Sequence, residues 1–216
     1  MKKYIFFDLD GTLTDSAEGI TNSVEYALNH YCISVEDKSS LNVFVGPPLV
    51  DSFMKYYGFD HEKARKSVGI YREYFETKGM FENAVYPGIP ELLGSLKKEG
   101  YKLYVATSKP EQYSVKIIEH FGLAEYFEMI GGADMGENRI HKGDVIRYVM
   151  ESCGLTNPAE IVMIGDREND MTGAAQNHME SVGVLYGYGS RAELENAGAC
   201  HIAETVEELG SILRKL

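Results

Sequence analysis

The stretch Tyr4-Ile5-Phe6-Phe7-Asp8-Leu9-Asp10-Gly11-Thr12-Leu13-Thr14-Asp15 constrains this chain more than any other. An apolar, strand-forming run climbs to Phe7, stops on two carboxylates two positions apart, and is followed at once by Gly. In an extended strand residues i and i+2 point to one side, so Asp8 and Asp10 can face a shared space. A buried strand that ends in acids places negative charge at the carboxyl edge of a sheet, where open α/β folds bind ligands. Close carboxylates repel, and one pKa rises unless a cation lies between them. A hard divalent ion with oxygen ligands, Mg²⁺ before others, resolves the conflict. Gly11 lets the backbone turn sharply and is expected to leave its amide open to an anion. A bare Asp-x-Asp is more often a solvated acidic turn, so the rest of the chain must decide between the two.

With 216 residues the chain can bury a substantial core, as one domain or as a core with an insert. Its formal net charge of -12 argues against a nucleic-acid polymer, whose phosphates need clustered Lys and Arg. Free anionic metabolites stay open if the site has cations of its own. Cys32, Cys153 and Cys200 are odd in number and lack metal-site spacing, as expected of reduced thiols in a cytoplasmic protein. The apolar run after Met1-Lys2-Lys3 is too short for a signal peptide, and no stretch reaches the length of a membrane span.

After Asp15 the periodicity becomes helical. Ile20, Val24, Leu28 and Tyr31 share one face, with Ser16 as N-cap; Ala64, Val68, Tyr71 and Phe75 share another. Gly46-Pro47-Pro48 breaks the region, and residues 16–83 read as an all-helical insert. From Val85 onward strands and helices alternate. Strands are expected at 102–107, 127–130, 160–164 and 181–185, with helices between them stopped by Gly100, Gly122 and Gly154. Ser190-x-x-Glu193 and Thr205-x-x-Glu208 mark two final helices. This rhythm predicts an α/β, Rossmann-like parallel sheet formed by residues 1–15 and 84–216. The insert emerges directly after Asp8 and Asp10, as a cap over them would.

Three further pieces end or begin predicted elements. Thr107-Ser108-Lys109 closes a strand with hydroxyls, which could donate to a phosphoryl oxygen or cap the next helix. Lys142 heads a helix after the irregular run 131–141; alone it reads as a solvated surface cation. Gly165-Asp166-Arg167-Glu168-Asn169-Asp170 repeats the opening architecture, an apolar strand ending in acid, although Asp170 could serve the dipole of its own helix. Two strands that each end in acids are hard to explain side by side without a cation.

Asp8-Leu9-Asp10-Gly11-Thr12-Leu13, followed in order by Thr107, Lys142 and Gly165-Asp166 to Asp170, resembles the signature of the haloacid dehalogenase superfamily across the length of the chain. The resemblance implies a Mg²⁺-dependent phosphohydrolase working through a phospho-aspartate on Asp8, with Asp10 as general acid and base. It implies Mg²⁺ held by Asp8, Asp166 and the Asp10 carbonyl, with Asp170 acting directly or through water. Phosphate contacts would come from Gly11, Thr107, Ser108 and Lys142. Gly46-Pro47-Pro48-Leu49 and Lys109-Pro110 resemble the phosphoglycolate phosphatase and 5′-nucleotidase-like branch, which makes Gly46, Pro47 and Lys109 candidate specificity residues. Two departures stand out: relatives often have Lys-Pro where this chain has Lys142-Gly143, and Arg after the cap loop where it has Val50-Asp51. The expected substrate is a small phosphorylated metabolite, phosphoglycolate or a nucleoside monophosphate, and the expected form a monomer or homodimer. A β-phosphoglucomutase-like phosphomutase is the alternative on the same fold; a receiver-like signalling module lacks such an insert.

Overall fold

The computed structural model describes residues 2–136 and 138–216. Met1, in the basic start, and Glu137, in the run expected to be irregular, lie outside the described residues. The first strand, β1 (Tyr4–Phe7), leads to a turn and a two-residue strand, β2 (Thr14–Asp15). Next come α1 (Ala17–His30), a 3-10 stretch over Lys38–Phe44, α2 (Leu49–Tyr57), α3 (His61–Tyr74) with a widened turn over Phe75–Gly79, and β3 (Ala84–Val85). The remainder alternates: α4 (Ile89–Lys98), β4 (Lys102–Pro110), α5 (Glu111–His120), β5 (Phe127–Ala133), α6 (Lys142–Ser152), β6 (Ile161–Gly165), α7 (Glu168–Gln176) and β7 (Glu180–Val184). It ends with α8 (Arg191–Asn196), β8 (His201–Ala203) and α9 (Val206–Leu213).

Among the described residues six strands form one parallel sheet in the order β5-β4-β1-β6-β7-β8. The chain builds outward from β1 on one side, then crosses back and builds on the other. The reversal at β1 is the switch point at which open α/β sheets bind ligands. Alternation along β1 explains its burial: Ile5 and Phe7 join one apolar cluster, and Phe6 joins a second on the opposite face with Tyr104, Met163 and Val149. Both faces are therefore covered and the strand is apolar throughout, as a central parallel strand requires.

The helices between β2 and β3 pack around Phe44, Phe53 and Phe59, whose rings lie 5.0 and 5.9 Å apart in successive pairs. The chain leaves for this helical region and returns from it through β2 and β3, which pair antiparallel with Thr14 opposite Val85 and Asp15 opposite Ala84. That pairing was not expected, since two residues are too few to show a strand period. Nor was β8, whose three residues lie at the sheet edge. β4 and β5 run further than expected, to Pro110 and Ala133, so Gly131 to Ala133 belong to the sheet. Ser16 stands at the N-terminus of α1 but makes no capping bond. Ser190 and Thr205 do cap their helices, accepting from the amides of Glu193 and Glu208. No helix among the described residues is long and apolar enough to cross a membrane.

Candidate active site

The carboxyl ends of β1, β4 and β6 lie side by side, because β1 pairs with β4 through Phe7–Val105 and with β6 through Phe7–Ile164. The next residues of these strands therefore converge. Asp8, Asp166 and Asp170 are buried, and one carboxylate oxygen from each lies within 4.8 Å of the other two. Lys142, also buried at the start of α6, places its Nζ 2.8 Å from Asp8 Oδ1 and 2.7 Å from Asp170 Oδ1, and donates to the Ala106 carbonyl at 2.9 Å. One ammonium thus contacts two of three clustered carboxylates. Burial, opposed by Lys142 and reinforced by Asp170, pushes the Asp8 carboxyl up to about 7. Burial, with Asp170 and Asp8 nearby, holds Asp166 well above the usual carboxylate range. At Lys142 burial disfavours the charge, but Asp170 and Asp8 outweigh it and the pKa rises.

The trio carries negative charge in excess of the one local cation. Asp166 Oδ1 is buried and has no hydrogen-bond partner among the described residues. Its Oδ2 accepts from the amide of Tyr188 at 2.8 Å, which fixes the carboxylate and leaves the other oxygen free. An all-oxygen donor set of this size fits a hard divalent cation such as Mg²⁺.

Asp10 has a cation of its own. After Phe7 the strand ends, and the amides of Leu13 and Thr14 both donate to the Leu9 carbonyl in a tight turn. The Asp10 carboxylate meets Lys109 Nζ at 2.9 Å, both side chains being buried, and its charge still acts on Asp8. Its side chain is outside the acidic trio. The Gly11 expectation needs correcting: its amide is not open to an anion, because it donates to the Thr14 carbonyl at 2.8 Å. Glycine is required here for two other reasons. Its φ is +78°, and a Cβ would lie 2.2 Å from Asp166 Oδ2.

Thr107 and Ser108 close the β4 side. Neither caps α5, whose N-terminal flank is Pro110. Thr107 Oγ1 accepts from the Lys109 amide at 3.3 Å, and Ser108 Oγ is buried without a partner among the described residues. A cleft opens beside Asp10 and runs beneath the helical region. Its walls include Gly46, Pro47, Ser108 and Lys109, together with Phe44, Leu49, Tyr71, Phe75 and Tyr113.

Arg167, Tyr188 and Arg72 are parts of the site whose roles the sequence did not show. Arg167 donates from Nε to Glu193 at 2.8 Å and from Nη1 to the Val45 carbonyl at 3.0 Å, tying β6 to the loop before Gly46. The Tyr188 hydroxyl donates to Asp15 and accepts from the Ala17 amide at 3.1 Å. Gly187 packs so close that a Cβ would stand 2.4 Å from that of Asp166. The repeated Gly in Tyr186-Gly187-Tyr188-Gly189, just after the last core strand, is the one local signal that this stretch packs closely against the site. Arg72 lines the cleft, and nothing in the spacing of α3 distinguishes it from other charges.

A parallel sheet switching direction at β1, with acids at the ends of β1 and β6 and a lysine facing both, defines a class. The chain belongs to the haloacid dehalogenase-like hydrolase family, whose model matches residues 5–184. It is 44% identical over 209 residues to a 5′-nucleotidase of Pseudomonas aeruginosa, covering 97% of this chain and 94% of that one. It is 36% identical to tyrosine-protein kinase PtkA of Mycobacterium tuberculosis, covering 97% of this chain and 72% of that one. The crystal structure of a protein described as a predicted phosphatase from Clostridium acetobutylicum superposes with a TM-score of 0.98 at 55% identity, covering 100% of both chains.

Proposed function

We propose that the protein hydrolyses a phosphate monoester, with Asp8 as nucleophile. The observation that carries this reading is the buried trio of Asp8, Asp166 and Asp170, two of them paired with Lys142, with one Asp166 oxygen unpartnered among the described residues. Asp8, Asp166 and Asp170 would hold Mg²⁺, with the Asp10 carbonyl beside them. When bound, Mg²⁺ offsets the repulsion between the Asp8 carboxylate and an anionic ester.

The chain's own residues do the rest. Asp8 attacks phosphorus in line, forming an acyl phosphate as the bond to the leaving oxygen breaks. Asp10 protonates that oxygen and then takes a proton from the water that hydrolyses the aspartyl phosphate. Lys142, Thr107 and Ser108 stabilise charge spread over the transferring oxygens. Residues 16–83 act as a cap over the core. Arg167 at Val45 and Lys109 beneath Phe75 hold it against the core while water is excluded.

The cleft favours one class of ester. Aromatic and apolar side chains dominate its walls, which suits a nucleoside leaving group better than a two-carbon carboxylate. The name of the Pseudomonas relative points the same way. Lys109 and Arg72 are the cations lining the cleft among the described residues, too few to cradle a nucleoside triphosphate donor. Transfer to water is therefore favoured over transfer from such a donor to another acceptor.

The test is Mg²⁺-dependent phosphate release from nucleoside monophosphates, phosphoglycolate, sugar phosphates and p-nitrophenyl phosphate, with Asp8→Asn alongside. Release that is abolished by EDTA and by Asp8→Asn is expected. No release from any ester would end the hydrolase reading, and conversion of a sugar 1-phosphate into its 6-phosphate would replace it with a mutase.

A further inference from the structure

Both cations in the cleft carry charge, but only one is already committed. Lys109 lies 2.9 Å from Asp10 and packs over Phe75 at 4.8 Å. Arg72, half-buried on α3, makes no hydrogen bond or ion pair among the described residues. Glu76, on the following turn, is engaged instead by the Tyr113 hydroxyl, which donates to it. Asp134, which also lines the cleft, accepts from the Asn138 amide at 3.0 Å. The loop Gly46-Pro47-Pro48-Leu49-Val50 brings no donor side chain. Arg72 lines the same cleft as Tyr71 and Tyr113, and its charge works against the burial that raises both phenols. The cleft thus has aromatic walls, a phosphate end at Asp10 and Ser108, and a guanidinium without an acceptor among the described residues.

The geometry points to Arg72 as a specificity residue that reads paired hydrogen-bond acceptors on the leaving group, selecting a 6-oxopurine nucleoside monophosphate over a 6-aminopurine one. This inference rests on the nucleotide reading above. A guanidinium is a planar fork of donors with no acceptor. A 6-oxopurine presents O6 and N7, two acceptors on one edge, whereas adenine replaces O6 with an amino donor that would face the fork donor-to-donor. Tyr71, Phe75 and Tyr113 supply flat apolar surface for the ring itself.

The experiment is kcat/KM for IMP, GMP and AMP with Mg²⁺, measured on the full chain and on Arg72→Ala, Arg72→Lys and Lys66→Ala. Each ratio is internal to one preparation, so a loss of folded protein cancels. The wild type should prefer IMP and GMP to AMP by about 10- to 100-fold, the range one bidentate pair supplies. Arg72→Ala should bring the three to near equality, and Arg72→Lys should do the same, since it keeps the charge without the fork. Lys66→Ala, on an exposed stretch of the same helix, should keep the wild-type ratio. Equal rates for IMP and AMP in the wild type, or a preference that survives Arg72→Ala, would overturn the inference. So would a selective loss of phosphoglycolate hydrolysis in Arg72→Ala, which would make Arg72 a carboxylate reader. If p-nitrophenyl phosphate is cleaved and no nucleotide is, the nucleotide reading has failed first, and the role of Arg72 falls with it.

Discussion

Lys109 Nζ lies 2.9 Å from Asp10 Oδ1, and the same ammonium stands 4.8 Å from the centroid of Phe75 in the helical segment. One cation therefore joins the acid proposed for proton transfer to the segment proposed to cover it. Lys109→Met leaves the Asp10 carboxylate buried and unpaired. Turnover should fall by about 10²- to 10⁴-fold, the scale of general acid–base catalysis. The rise in Tm on adding Mg²⁺ should persist, because Lys109 does not touch the acidic trio. Steady-state kinetics beside thermal melts check this; a parallel loss of the Mg²⁺ effect would show that Lys109 serves the metal site instead.

Lys142 offsets two buried carboxylates at 2.8 and 2.7 Å. Replacing it with Met removes the local cation and leaves the acids uncompensated, a change that typically costs about 3–5 kcal/mol. Urea melts in EDTA should show that loss. Added Mg²⁺ should restore more stability to Lys142→Met than it adds to wild type, since it becomes the only counter-charge.

The pH dependence of the metal effect follows from Asp8. Burial above all raises its carboxyl from 3.8 to about 7, so the folded chain holds that proton more tightly than the unfolded one. The resulting stability is complete below the unfolded pKa and is lost as pH climbs through about 7. Asp166 is raised in the same direction. Proton and Mg²⁺ compete for these oxygens, so the Tm gain from Mg²⁺ over EDTA should grow between about pH 5.5 and 8. A gain independent of pH would mean that Mg²⁺ binds elsewhere.

Two glycines should respond oppositely to one methyl group. At Gly187 a Cβ would meet the Gly11 carbonyl at 2.3 Å and Asp166 Cβ at 2.4 Å, so Gly187→Ala must push Asp166 out of place. Both stability and the Mg²⁺ effect should drop. Gly69, exposed in α3, has open space around its Cβ position, and Gly69→Ala should stabilise by up to about 1 kcal/mol. Thermal melts of the pair decide it.

The parallel sheet and its acids were legible in the sequence because apolar strands of four to nine residues carry their own period and end abruptly in charge. Lys142 became legible through its place in an ordered set of motifs, not through its own surroundings. What stayed hidden depends on contacts distant in sequence. Asp10 pairs with Lys109 across the fold, and the turn after it closes on the Leu9 carbonyl, neither of which a two-residue strand spacing can reveal. The same turn takes the Gly11 amide. Tyr188 reaches Asp15 and Ala17 across 173 and 171 positions, and no local pattern encodes such a reach. Arg72 looks like any helix charge until its neighbours are seen to be engaged elsewhere.

The pairing of Thr14 with Val85 and Asp15 with Ala84 has a consequence beyond hinge geometry. To the sheet, the whole helical excursion spans no more than a single hairpin turn, since its two ends are hydrogen-bonded neighbours. Closing a longer or shorter excursion between fixed ends changes the free energy only logarithmically. A different lid could therefore be grafted at this junction while the boundary conditions on Asp8, Lys142 and Asp166 stay the same. What such a graft would have to rebuild is the pair of ties at Val45 and Phe75, where Arg167 and Lys109 meet the helical region.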